Sequence, residues 1–308
     1  MSNGDAGDAL VRVAREIGGM ELVDRLAALS GSDFTTLMLE VVRRRAARET
    51  PASVLRRYQR DRFVRPGGTP VRPSRRAEDV LLGCLPPLTE VVQLAPLVPL
   101  GTNSALATVS QHKVVTAVRA CEVVADPTNA LALEAAVRRG GGAPGEVVRL
   151  AAVQRVVRAQ RFPDGWSAHF GLFATVTAGR DRGSRLFEQA ALAEQLRFAV
   201  AALRAAGVPR VQVALTPLSE AGTRIAAAAA EALATEPAEV ITDRDRESGR
   251  GYYLDLCFKV NALTDDAPIE IGDGGFTDWT ARLLANGKER LLIAGYGTDR
   301  LAAFTGDR

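Results

Sequence analysis

Two apolar runs near the middle of the chain, VVRLAAVQRVVRAQRF and HFGLFATVTAG, face each other across PDGWSA. Pro163, Asp164 and Gly165 supply turn chemistry, because proline presets its own φ and Asp-Gly tolerates a tight reversal. The spacing predicts an antiparallel hairpin, which commits the chain to a sheet whose strands return on their neighbours. After the hairpin the apolar period alternates. LFEQAALAEQLRFAVAALRAAG reads as a long amphipathic helix, VQVALTPL as a strand, residues 219 to 234 as an alanine-rich helix and YYLDLCFKV as a strand. A glycine-rich segment then precedes WTARLLANG and the apolar LLIAGY. Before the hairpin, TEVVQLAPLVPL reads as a short β-rich run, VVTAVRACEVVADPTN as strand and turn, and ALALEAAVRRG as a helix stopped by glycine. The expected class is α+β, an antiparallel sheet flanked by helices.

A different pattern occupies the N-terminal region. Leu10, Val13, Ile17, Met20, Val23 and Leu26 recur at helical spacing, and residues 34 to 62 continue as helix broken at Pro51. VRPGGTPVRPSRR lacks any period and reads as a linker. The expected organisation is a helical region over 1–63, a linker over 64–76 and an α+β domain over 77–308. A chain of 308 residues, 47% hydrophobic, can bury the core that such a domain requires.

Composition excludes several classes of function. Three cysteines, Cys84, Cys121 and Cys257, stand far apart in apolar surroundings and read as buried thiols in a reducing compartment. His112 and His169 are the only histidines, too few for a histidine-based metal site. The N-terminus MSNGDAGDALVRV has no apolar signal core, and Pro86, Pro87, Pro96 and Pro99 interrupt the most apolar window, so neither secretion nor a membrane span is expected. The expected location is cytoplasmic. GGGAPGE lacks the Lys-Ser/Thr of a phosphate-binding loop and reads as a helix stop. Residues 43 to 65 hold nine arginines against two acids, with Tyr58 and Phe63 as the available stacking rings. A run of this kind reads as a solvated helix face, and RNA binding is not expected.

The hairpin also carries chemistry. An arginine fixed inside a domain is costly unless it meets an anion, and the planar guanidinium matches phosphate in two places. Arg158 and Arg161 on the outgoing strand and Phe170 on the return fit a ligand with phosphate at one end and a base at the other. The same letters fit arginines facing solvent and a phenylalanine in the core.

Residues elsewhere bear on that choice. Residues 271 to 301, IGDGGFTDWTARLLANGKERLLIAGYGTDRL, resemble the third signature motif of class II aminoacyl-tRNA synthetases, closest to the histidyl branch, through Gly274, Gly275 and Asp278 and then Gly297, Asp299, Arg300 and Leu301. The hairpin resembles the second motif at Arg158, Arg161, Gly165, Phe170 and Gly179. Glu188 and the helix after it resemble the next helix of that family, and Tyr252-Tyr253 resembles the tyrosine pair of the histidyl branch. LLGCLPPLTEVVQLAPLVP resembles the first motif, a helix and proline-terminated strand used in dimerisation, and ADPTNALALEAA stands where the branch has an acid-x-threonine turn. The likeness covers roughly 77 to 304, in the family's order.

The resemblance implies an ATP site, with Mg²⁺, and a homodimer. It gives Arg158 the α-phosphate, Phe170 the adenine face, Gln160 the adenine amino group, and Arg300, behind Gly297, the γ-phosphate. Asp126 and Thr128 would receive a substrate α-amino group, and Tyr252 and Tyr253 would line the pocket for an amino acid or small carboxylate. The sequence also departs from the branch. Gln160 replaces a glutamate, Leu172 and Val176 replace a glutamine and a glutamate, and Arg250-Gly251-Tyr252-Tyr253 is two residues shorter than the segment carrying that branch's activating arginine. The chain ends soon after Arg300, where a synthetase would continue into an anticodon-binding domain, so a role in ribosomal protein synthesis is not expected. Two readings stand: a freestanding enzyme that forms an acyl-adenylate, or a noncatalytic paralogue that senses a ligand, as the ATP phosphoribosyltransferase regulatory subunit resembles a histidyl synthetase.

Overall fold

A computed structural model describes residues 3–107, 109–143, 145–163 and 166–306. The turn residues Asp164 and Gly165 lie outside the described residues. The chain divides into two compact units, Met1–Asp61 with Thr116–Cys121, and Arg62–Val115 with Glu122–Arg308.

The first unit holds α1 (Asn3–Ile17), α2 (Met20–Ala27), α3 (Gly31–Ala46), α4 (Pro51–Arg60) and the two-residue β3 (Thr116–Ala117). Each helix boundary has a local cause. Gly18 and Gly19 take φ of 119° and 89°, a backbone that side-chain-bearing residues avoid, and so separate α1 from α2. Ser30 caps α3 by accepting from the Asp33 N–H, and Thr50 and Ser53 form a reciprocal box ahead of α4, whose first residue is Pro51. The first arginines of the basic run are solvated as the pattern predicts: Arg43 and Arg44 both pair with Glu40 at the surface, and α2, α3 and α4 bury no residue.

The second unit is built on an eight-stranded sheet in the order β1 (Glu90–Val91), β5 (Val148–Val157), β6 (His169–Arg180), β11 (Glu289–Gly297), β10 (Pro268–Thr277), β9 (Leu254–Leu263), β7 (Val211–Pro217) and β8 (Ala238–Thr242). The central pairings are antiparallel, and the two edge strands β1 and β8 run parallel to their neighbours. The hairpin pairs Val157 with His169 and Val148 with Ala178. The fold is therefore α+β on a mostly antiparallel sheet. The glycine-rich segment of the sequence is strand β10, near the centre of the sheet. A Cβ at Gly272 would collide with the Tyr296 ring and one at Gly274 with Phe258, so these glycines make room for aromatic rings packed on the sheet.

Helices cover both faces. On one, α5 (Val71–Gly83), α8 (Leu186–Ala205), α9 (Glu220–Ala232) and α11 (Thr298–Leu301) enclose a core that includes Leu81, Leu192, Leu196, Phe173, Phe258 and Tyr296. Helix α5 begins within the expected linker. Pro73 falls in its first turn, where the missing N–H costs no intrahelical bond, so proline there conceals a helix start. On the other face, α7 (Pro127–Gly141) and α10 (Trp279–Leu283) bury Leu131, Ala135 and Trp279 against Val176, Leu291 and Ile293. The buried Arg139 of α7 grips Glu289 of β11 through two bonds of 2.9 and 3.0 Å, with Arg180 at 3.2 Å from the same carboxylate. Shorter pieces, β2 (Leu97–Pro99), α6 (Thr102–Ala107), a 3-10 turn at Gln111–Lys113 and β4 (Cys121–Val123), complete the order.

Cys257 is buried, whereas Cys84 and Cys121 are half-buried, and all three are free thiols. Among the described residues no helix is long and apolar enough to cross a membrane.

Candidate functional site

A cavity of about 990 Å³ opens within the second unit, on the sheet face that carries α7. Asp126, Thr128, Arg158, Gln160, Phe170, Tyr252, Tyr253, Gly297 and Arg300 all line it. These residues come from a helix cap, a hairpin, a strand approach and the end of the last strand. Strand pairing brings them together across the chain.

Arg158 lies one residue past β5, but its N–H still donates to the Ala168 carbonyl at 2.9 Å, so the hairpin fixes its backbone. Its Nε donates to the Ala125 carbonyl at 2.8 Å, its Nη2 meets Asp126 Oδ2 at 3.2 Å, and its guanidinium lies 5.2 Å from the Phe170 ring centre. Phe170 meets Phe162 edge-on at 6.0 Å, and Phe162 stacks nearly parallel to Trp166 at 6.5 Å. The far end of this aromatic surface carries Arg300, 5.1 Å from the Trp166 ring. Arg300 Nη1 donates to the Glu270 carbonyl at 2.7 Å and lies 3.5 Å from that residue's carboxylate, which also meets Lys259 at 2.9 Å. Two accessible guanidinium groups thus flank a row of rings, and each is held by a carboxylate of the same chain.

Asp126 has two commitments. As the N-cap of α7 it accepts from the Thr128 N–H at 3.0 Å and the Thr128 hydroxyl at 2.7 Å, both on Oδ1. That is the local chemistry of an acid-x-threonine turn. Oδ2 is the atom that meets Arg158.

Tyr252 and Tyr253 pack edge to face at 4.7 Å, and Tyr252 packs on Trp279 at 5.6 Å. The Tyr253 hydroxyl donates to Asp273 Oδ1 at 2.5 Å, and Arg246 donates to Asp273 Oδ2. Burial is the main influence that pushes the Asp273 carboxyl above the usual aspartate range, against the pull of Arg246. Burial, reinforced by nearby carboxylates, also pushes both phenols well above theirs.

Other residues have surroundings that the sequence does not disclose. Arg250 does not line this cavity: it borders a separate one of about 760 Å³ and bonds the Arg246 and Arg244 carbonyls, while the nearly buried Arg246 lines the main cavity. The chain reaches the tyrosines through the turns at Gly249 and Gly251, a path that the Arg-Gly pair in the sequence does not reveal. His169 is engaged by its neighbours. Its Nδ1 accepts from Arg155 at 2.7 Å, so its Nε2 donates to the Arg65 carbonyl at 2.6 Å. Leu172 lines the cavity, but Val176 is sealed in the core. Glu188 pairs with Arg185 and Arg290 and borders the separate cavity. Sequence reasoning missed Asp273, Glu270, Lys259 and Trp166; only Trp166, within the aromatic cluster of the hairpin, left a visible signal.

The sheet order, the hairpin leading into α8, and a last strand that ends on an arginine-bearing helical turn define a class II aminoacyl-tRNA synthetase-like fold. No protein-family model matches the sequence, and no curated protein matches it. Solved structures do match in fold. An ATP phosphoribosyltransferase regulatory subunit/histidyl-tRNA synthetase from Bacillus halodurans aligns with a TM-score of 0.62 at 13% identity, over 80% of this chain and 83% of the other. Histidyl-tRNA synthetase from S. aureus aligns with 0.58 at 14% identity, over 76% of this chain and 64% of that enzyme. The histidyl-tRNA synthetase of a Nostoc species gives 0.57 at 13% identity, over 78% and 74%.

Proposed function

We propose that this protein binds ATP and activates an amino acid or a related small carboxylate as an acyl-adenylate, for transfer to an acceptor outside ribosomal protein synthesis. The observation that carries this reading is the pair of accessible arginines, Arg158 and Arg300, at the two ends of one aromatic surface. Rings of Phe170 and its neighbours suit a base, and guanidinium groups suit phosphate oxygens. In the reaction, a substrate carboxylate oxygen bonds to the α-phosphorus as the bond to pyrophosphate breaks. Arg158 would stabilise charge on the α-phosphate and Arg300 would orient the departing end, which is catalysis by position and electrostatics. Gln160 would meet the adenine edge, and Gly297, which lines the cavity ahead of Arg300, would lie beside the phosphate tail. Asp126, Thr128, Tyr252 and Tyr253 would hold the second substrate. Among the described residues no three His, Cys, Asp or Glu side chains gather to hold a metal, and Mg²⁺ would enter on the triphosphate, its usual carrier.

A noncatalytic role as a regulatory or amino-acid-sensing subunit is the second reading. It is supported by apolar Leu172 in the cavity, where the histidyl branch has a polar side chain, and by the likeness to a protein described as a regulatory subunit. Pyrophosphate exchange against a panel of amino acids decides between the two. Exchange with at least one acid is expected. Nucleotide binding without exchange for any acid would favour the sensing role, and no nucleotide binding at all would remove both the ATP site and the enzyme.

A further inference from the structure

We infer that Asp126 is an internal competitor for Arg158: it holds the guanidinium while the nucleotide site is empty, and nucleotide phosphate must displace it. The inference rests on the reading of the cavity as a nucleotide site. The carboxylate vacated in this exchange is then free to take a cationic group, an ammonium, on the second ligand. Nucleotide and amine would thus bind with positive coupling.

The two oxygens of Asp126 are in different situations. Oδ1 is saturated by the Thr128 N–H and hydroxyl, at 3.0 and 2.7 Å, and stays where the helix cap needs it. Oδ2 meets Arg158 at 3.2 Å in a pair whose side chains are 31% and 30% exposed, so ligand can reach both partners. Among the described residues the Arg158 guanidinium is otherwise tied only to the Ala125 carbonyl through Nε and to the face of Phe170. A phosphate approaching over Phe170 therefore competes with one carboxylate oxygen for the outer edge of the guanidinium. An ion pair this accessible is weak, and a phosphate with more than one negative charge can outbid it. Once Arg158 has turned, Oδ2 is a carboxylate oxygen without its cation inside a cavity that Tyr252 also lines. Such a group gains most from a ligand cation. Both ligands bias one element, the Arg158–Asp126 pair, which is what coupling between two sites requires.

The exchange is tested by calorimetry on the full chain, using ATP, AMP and adenosine. Asp126→Asn keeps an oxygen for the cap and removes the charge. Asp126→Ser, another good cap residue, serves if the asparagine protein folds poorly. Each variant is expected to bind AMP and ATP about two- to fivefold more tightly than the wild type, the range set by an exposed ion pair, with adenosine unchanged. In the wild type, at least one of the twenty proteinogenic amino acids, or methylammonium as the minimal cation, tightens AMP binding, and none does so in Asp126→Asn. If the wild type binds AMP but the variants bind it equally or more weakly, or if no amine tightens it, the inference is overturned and the nucleotide site stands. If the wild type binds no nucleotide, both fall together.

Discussion

Replacing Arg300 with alanine separates a triphosphate site from a generic anion site. In the proposed complex Arg300 reaches the γ-phosphate, so its loss is felt by ATP and not by AMP. A charge-assisted hydrogen bond contributes about 1.5 to 3 kcal/mol. Part of that is already spent in the empty protein, where Arg300 lies 3.5 Å from the Glu270 carboxylate and is 38% exposed. An exposed pair of this kind is worth about 0.2 to 1 kcal/mol, which binding must give up. The net loss is about 0.5 to 2.8 kcal/mol, roughly two- to hundredfold in ATP affinity. Titration calorimetry of wild type and Arg300→Ala with ATP and AMP, at fixed salt and Mg²⁺, measures it. AMP should change less than about twofold on the same reasoning. Phe170→Ala supplies the converse, weakening both nucleotides together by about 1 to 3 kcal/mol, because stacking is blind to the phosphate tail. Equal loss of ATP and AMP in Arg300→Ala would refute the assignment of the γ-phosphate end.

Glu289→Ala should lower stability by about 3 to 5 kcal/mol in urea denaturation, because it leaves the buried guanidinium of Arg139 without its carboxylate; a loss below about 1 kcal/mol would contradict the role given to this pair. Burial raises the phenol pKa values of Tyr252, Tyr253 and Tyr296 in the folded state, so their contribution to stability is present below the unfolded phenol range, near 10, and is lost as pH rises above it. Absorbance at alkaline pH should show these tyrosines ionising together with the loss of the folded circular dichroism signal, and separate ionisation in intact protein would count against it. The chain is expected to be a homodimer at micromolar concentration, since Leu88, Val91, Leu97 and Leu100 are exposed across the first-motif segment. Sedimentation equilibrium showing a monomer there would end that proposal.

The sequence by itself determined the elements whose cause is local. The hairpin was legible because two apolar runs flank a turn, the boundary ahead of α4 because Pro51 breaks a helical run, and α9 because alanines dominate residues 219 to 234. The order of the motif residues was legible too, and Asp126, Thr128, Arg158, Gln160, Phe170, Tyr252, Tyr253, Gly297 and Arg300 line one cavity, whereas Asp273, Glu270 and Lys259 beside them left no sign in the sequence. Other features depended on partners distant in the chain. Gly272 and Gly274 look like loop residues until the rings of Tyr296 and Phe258 fill their space, and only then is β10 a central strand. Arg246 rather than Arg250 enters the cavity because Asp273, on strand β10, pairs with it. Asp126 reads as a cap from its neighbour Thr128, whereas its second commitment, to Arg158, exists only because the hairpin carries that arginine to the start of α7. Periodicity and capping act over a few residues, so sequence records them. The pairing of charges and the filling of space by rings are set by distances in the folded sheet, which separation along the chain does not encode.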